Sequence, residues 1–278
     1  DVSDPTNPTF VGLYNSTTVE EITIYGNYAY IIGNTGSPDY EDIMGVLDLS
    51  NPTNPTLVDY IRANSVTGIA ISGVCDGFFR GIVDPNRSCF AYTTKWSGDM
   101  WLIDLSGFHN GHRLSSLSGG DYVGTFDNTP YERGGYGKGG QARAVAVSGD
   151  YAYIVTSFSY SNVDGEYVVH PGGLLVVDWN YFNSETSLVN DYDPRLKGAY
   201  FYGISDSNYN AALSNVYDIA VSGNRAYLAH DEGGLVIVDI KNPNNPTYAG
   251  RYNTPSPASS VAVSDGTFPF QKRYVLVA

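Results

Sequence analysis

Four apolar runs that end in aspartate recur along the chain: MGVLDLS (44–50), MWLIDLS (100–106), GLLVVDW (173–179) and GLVIVDI (234–240). A strand-like run returning at loose intervals means that one supersecondary unit is repeated, and such a unit hides its apolar faces only by stacking on its neighbours. A second element precedes three of the runs, as ITIYGNYAYIIG (22–33), VAVSGDYAYIVT (145–156) and IAVSGNRAYLAH (219–230). It reads as a hairpin, with β-branched and aromatic residues flanking Gly-Asn or another turn pair of that kind.

The stretch after the apolar run is repeated as well. DVSDPTNPTFVGLY (1–14), DLSNPTNPTLVDYI (48–61) and DIKNPNNPTYAGRY (239–252) are nearly the same. Proline has no donor for a ladder and drives the residue before it toward extended or turn geometry, so Asn-Pro punctuates the chain between two strands. Each unit is therefore a four-stranded meander, a to d, typified by IAVSG, RAYLAH, GLVIVDI and TYAGRY. Strand a is expected at Val19, Val66, Ala142, Val216 and Ser259, and strand b at Tyr28, Phe90, Tyr151, Arg225 and Arg273. Strand c occurs four times and strand d five times, the first d being PTFVGLY from Pro8.

Stacked four-stranded sheets are protected when they close into a ring, so the expected fold is an all-β propeller. Five blades close the count if the last is shared between the two termini; six or seven hold if the chain is a fragment. The shared blade lacks its c strand, and Asp1-Val2-Ser3 matches the tail of one. Its two open edges, YVLVA at the C-terminus and Pro8, Thr9, Phe10 and Val11 near the N-terminus, leave room for one donated strand. The donor is either residues upstream of Asp1, an ordinary latch, or a neighbouring subunit, which would make a head-to-tail polymer. Nothing between the units marks a second domain, so residues 1–278 read as one.

Composition fits many short strands: 31 Gly, 14 Pro and 24 Tyr accompany only 16% charged residues. The formal charge of −14 opposes phosphate backbones and anionic lipid, which excludes nucleic acid as a natural partner. No apolar run approaches a membrane span, and no leader precedes Asp1, an absence that prior cleavage also explains. Cys75 and Cys89 are separated by 13 residues in an irregular stretch, a spacing that suits a disulfide and an oxidising compartment. Two free thiols are the alternative, and the spacing fits no zinc pattern.

GGLVIVD, NPxNPT and SGNxAY together resemble the LVIVD-repeat family of β-propellers, literally at 234–239 and more weakly over nearly the whole chain. The resemblance implies secreted or cell-surface bacterial or archaeal proteins and brings no catalytic residues. WD-type propellers fit less well, because no Trp-Asp pair ends the strands. The departures are the insertions at 75–89 and 108–120.

Acidic residues collect in the connections from b to c: Asp39, Glu41, Asp42, Asp164, Glu166, Asp231 and Glu232. They are candidates for holding calcium at one face, but none has the spaced DxDxDG pattern of a dedicated site, so ordinary solvated turns in an acidic protein are the simpler reading. The motif aspartates 48, 104, 178 and 239 are expected to accept backbone hydrogen bonds in the turn after strand c. His109 and His112, three apart, lack further metal ligands; His170 and His230 lie at opposite ends of b-to-c connections with no nucleophile nearby. The pairs Glu20/Glu21 and Asp191/Asp193 are expected to face solvent. GGYGKGG (134–140) lacks the GxxxxGK[ST] pattern of a phosphate cradle. Tyr131, Tyr136 and Tyr181, with Tyr160, Tyr202 and Tyr209, lie outside the repeats and suit a binding surface.

These features lead to a non-enzymatic extracellular module for structure, assembly or adhesion, with no cofactor. Its interface would include Pro8 to Val11, Tyr274, Val275, Leu276, Val277 and the insertion tyrosines. The alternative is a ligand-binding propeller that takes calcium or a glycan. The expected partners are protein subunits or surface components, the chain itself as a homopolymer, or a glycan.

Overall fold

The computed structural model describes residues 7–15, 18–34, 42–62, 66–72, 90–95, 100–105, 122–126, 141–163, 166–170, 172–178, 196–201, 215–264 and 275–278, and among them there is no α-helix. The first sheet is β1 (Thr18–Tyr25), β2 (Tyr28–Asn34), β3 (Asp42–Asp48) and β4 (Thr56–Arg62). The second is β5 (Val66–Ser72), β6 (Phe90–Lys95), β7 (Met100–Asp104) and β8 (Tyr122–Phe126). The third is β9 (Gln141–Ser148), β10 (Tyr151–Ser157), β13 (Gly173–Asp178) and β14 (Leu196–Phe201), and a separate hairpin joins β11 (Ser159–Val163) to β12 (Glu166–His170). The fourth is β15 (Asp218–Ser222), β16 (Arg225–His230), β17 (Gly234–Asp239) and β18 (Thr247–Tyr252). A fifth pairs only β19 (Val261–Val263) with β20 (Val275–Val277).

Every pairing is antiparallel, and the four complete sheets follow the a-b-c-d order of the repeat. The tight a-to-b turns use Gly26, Gly149 and Gly223 at φ of 57°, 59° and 58°, a left-handed conformation that costs glycine nothing. One irregularity recurs in all four c-to-d pairs: the register slips between Val46 and Leu47, Leu102 and Ile103, Val176 and Val177, and Ile237 and Val238. A bulge at one fixed place strengthens the local twist, and its repetition marks the sheets as copies of one unit.

The sheets stack face to face in chain order. Tyr30, Ile32, Met44 and Val46 of the first cover Val66 and Ile69 of the second. Tyr153, Leu174 and Val176 of the third meet Ile219 and Leu228 of the fourth. Ala229 and Leu235 of the fourth meet Val261, Val275 and Val277 of the fifth. Polar links run the same way near the inner strands: Thr67 donates to the Ala142 carbonyl at 2.8 Å, and Ser157 to the Val216 carbonyl at 3.4 Å. Asp218 accepts from the Ser260 hydroxyl at 2.9 Å and the Val261 amide at 2.8 Å. The architecture is propeller-like.

Two expectations need correction. The repeat predicts a d strand from Pro8, yet the described stretch 7–15 belongs to no ladder. A d strand pairs with a c strand, and the fifth sheet has none beside β20 among the described residues. The b-to-c connection of the third unit, read from its acids as a plain loop, forms the β11–β12 hairpin instead. Alternation along SYSNV and EYVVH around Asp-Gly is the signal that marks it.

Candidate functional site

Register identifies equivalent residues on the inner strands. Ile22 lies opposite Ile31, Ile69 opposite Thr93, Val145 opposite Ile154, Ile219 opposite Leu228 and Val261 opposite Val277. Four of these five are sealed, with Ile69 5% exposed and Val145, Ile219 and Val261 each 6%, whereas Ile22 is 53% exposed. Leu276 takes the place in β20 that Tyr227 takes in β16 and is 66% exposed. Val19, Ile24, Phe10 and Leu13 are exposed as well. The cause is visible at Ile69, which is covered by side chains from both strand b (Tyr30, Ile32) and strand c (Met44, Val46) of the preceding sheet. Beside β20 no such strand is present among the described residues.

Among the described residues, the backbone of β20 pairs on one side. The Ala278 amide donates to the Ser260 carbonyl at 3.0 Å, and the Ala278 carbonyl accepts from the Ser259 and Ser260 amides at 2.7 and 3.2 Å. Successive residues of an antiparallel strand point their backbone groups to opposite sides. The amides and carbonyls of Val275 and Val277 are therefore turned away from β19, toward the side where the other sheets carry strand c.

Residues 8–15 keep the place of a d strand without its ladder. In the third sheet Gly198 of β14 lies against the following unit's Asn-Pro turn, so closely that a Cβ there would meet the Pro243 carbonyl oxygen at 2.4 Å. Gly12 lies in the same way against Pro52 and Thr53 of the first unit. Tyr14 completes the arrangement by packing over Ala29, Ile31 and Leu47.

An acidic pair also links the first and fourth sheets. Burial, and then the charge of Asp218, raise the Glu21 carboxyl from 4.5 to about 7. Glu21 and Asp218 hold the same inner-strand position, opposite Ile32 and Ala229. Glu20 is exposed, as expected for this pair, but Glu21 is half-buried. Reading the pair as two solvated neighbours overlooks the alternation that turns one inward.

The other candidates divide sharply. Asp39, Glu41, Asp164, Cys75, Cys89, Tyr131, Tyr136, Tyr181 and Tyr274 lie outside the described residues, as do His109 and His112. Asp42 and Glu166 fall within β3 and β12. Asp231, at φ 32°, uses its carbonyl to accept from the Gly234 and Ala258 amides at 3.0 and 2.9 Å, and Glu232 is exposed. Among the described residues no group of three or more His, Cys, Asp or Glu gathers around a metal position. His230 is buried, and burial lowers its pKa.

Two of the motif aspartates, Asp48 and Asp239, serve the turns, while Asp178 lies 3.6 Å from the Lys197 ammonium. Asp48 accepts from the Ser50 amide at 2.7 Å and Asp239 from the Lys241 amide at 2.9 Å. These turn hydrogen bonds, from the Ser50 side chain and amide and from the Lys241 amide followed by Arg225, hold both carboxyls below the ordinary range.

Comparison with known proteins agrees with this architecture. The LVIVD repeat matches residues 1–16, 18–61, 139–158 and 215–254. No curated protein matches the chain. A functionally unknown protein from Desulfotomaculum acetoxidans DSM 771 superposes with a TM-score of 0.51 at 14% identity, over 93% of this chain and 62% of that one. Sqt1 from Chaetomium thermophilum reaches a TM-score of 0.47 at 13% identity, over 85% of this chain and 46% of its own. Sqt1 bound to the N-terminus of ribosomal protein L10 reaches 0.45 at 13% identity, over 85% and 48%. Only the first bears on the fold, and this chain spans less than two thirds of its length.

Proposed function

We propose that this LVIVD-repeat chain is a non-enzymatic module for assembly or adhesion, working outside the cell or on its surface by holding polypeptide partners. The observation that carries the reading is the exposure of five large apolar side chains, Ile22, Ile24, Phe10, Leu13 and Leu276, at the two ends of the chain's sheet order. Exposed apolar side chains that are contiguous mark interaction surfaces on soluble proteins. The fuller form of the proposal is a five-bladed ring, its last blade shared between the termini, that assembles by accepting a strand and in the limit polymerises. The compartment rests on the Cys75 and Cys89 spacing.

Light scattering after size exclusion, with electron microscopy of the same fractions, tests this. Assemblies that dissociate on dilution, or a stable complex with a second polypeptide, support the module. A monodisperse monomer at all concentrations, together with no protein cross-linked to the Ile22 and Leu276 surface, rejects it.

A second reading, capture of calcium or a glycan, draws on Glu232, exposed beside Asp231 in a chain of net charge −14. Calorimetry with Ca²⁺ and a glycan panel separates the two: saturable heat that is lost in Glu232→Gln favours ligand capture.

A further inference from the structure

We propose that the outer edge of β20 is an acceptor slot for one extended apolar strand of a partner polypeptide, with the chemistry of β3, β13 and β17: a run such as GLVIVD, antiparallel to β20. This deepens the module reading and rests on it.

Three independent features define the slot. On one wall, Val275 and Val277 turn their backbone amides and carbonyls outward, because Ala278 bonds to Ser259 and Ser260 on the β19 side. On the far wall, residues 8–14 lie against the first unit's Asn-Pro turn through Gly12, as the d strand β14 lies against the following unit's turn through Gly198, but belong to no ladder. The floor is Ile22 and Leu276, exposed at the two positions that strand c covers elsewhere. In the first sheet that cover is Met44 and Val46; in the third it is Leu174 and Val176. A strand seated here would place two alternate apolar side chains on Ile22 and Leu276 while its backbone meets Val275 and Val277.

The same comparison specifies the occupant. Every c strand among the described residues is five to seven residues long, apolar in its body and closed by aspartate. Each of those four strands is already paired on both edges within its own sheet, so none of them is free to fill the slot. A charged or proline-bearing segment would fail, because the floor is apolar and the edge needs a continuous run of donors.

The probe is the synthetic peptide GGLVIVDIK, read by fluorescence anisotropy, thermal unfolding and hydrogen exchange on the whole chain. Saturable binding is expected, with Tm raised by roughly 5 °C at about a hundredfold excess over Kd. The Val275 and Val277 amides should gain protection while those of β16 and β17 stay as they were. The same peptide with proline at its third apolar position should bind at least about tenfold more weakly, which tests ladder formation without altering the protein. Val277→Pro removes an outward donor and leaves the Ala278 bonds in place, so it should abolish binding; the proline peptide controls for the packing that this variant loses against Val261.

Equal binding of the proline peptide overturns the proposal, as does an absence of binding. Protection of Val275 and Val277 before any peptide is added means that the edge is already filled, and this also overturns it. If the peptide fails while assemblies or partner complexes persist, the slot is wrong and the module reading stands.

Discussion

Gly12 lies flat against Pro52: a Cβ at residue 12 would fall 2.1 Å from the Pro52 carbonyl oxygen and 2.8 Å from the Thr53 Cα. Backbone cannot yield to a new side chain as a flexible tip can, so Gly12→Val should lift residues 8–15 from the first sheet. Limited proteolysis should cut this stretch faster, with Tm nearly unchanged, because no ladder depends on it. Gly198→Val meets the same kind of obstacle within a paired strand and should cost about 2 kcal/mol or more in global stability by denaturant titration. Equal effects of the two variants would contradict this reading of residues 8–15.

Ile22 and Ile69 are the same residue type at the same position of successive sheets, and only burial distinguishes them. Ile69→Ala should cost about 2–5 kcal/mol, as deletion of a sealed side chain does. Ile22→Ala should cost less than about 1 kcal/mol in the free chain, because much of its surface already meets water. Urea unfolding of the two variants side by side checks the difference. A large loss at Ile22 would mean that this side chain is covered in solution.

Glu21 gives the fold a pH dependence of definite sign. Its carboxyl titrates at about 7 in the fold against an ordinary 4.5, so across that interval the folded chain holds a proton that the unfolded chain has lost. Its contribution is complete below about pH 4.5 and is lost as pH rises through about 7. Unfolding at pH 5 and pH 8 should show this fall, and Glu21→Gln should flatten it. Asp218→Asn should flatten it in part, because desolvation remains as the larger cause. A slope of opposite sign, or one unchanged in Glu21→Gln, counts against the inward placement of Glu21.

Cys75 and Cys89 are expected to be joined. The intact mass should lie about 2 Da below the dithiol value and rise on reduction. Free thiols that react fully in the unreduced, denatured chain would remove the argument for an oxidising compartment.

The sheets were legible because their signals are local. Gly-Asn and Gly-Asp placed the hairpins, Asn-Pro ended strand c, and the motif aspartates foretold the bonds that Asp48 accepts from the Ser50 amide and Asp239 from the Lys241 amide. Each of these depends on neighbours a few residues away, and so survives reading one unit at a time. The β11–β12 hairpin was less legible because Asp164, Gly165 and Glu166 suit a solvated turn as well as a hairpin tip.

The site was less legible, for a physical reason. A run of Ile and Val states that a strand wants cover, but the cover comes from another sheet. Ile22 and Ile69 have the same side chain; c-strand residues Met44 and Val46 share the core cluster that seals Ile69, and among the described residues no such strand seals Ile22. Likewise Glu21 lies nearly two hundred residues from Asp218 in sequence, and its raised carboxyl exists only because the fold brings the inner strands together. The sequence by itself determined the repeating unit, its turns and its strand order, because those arise from local backbone preferences and periodicity. Tertiary structure alone decided which apolar faces met water, because burial belongs to pairs of sheets and no single strand carries it.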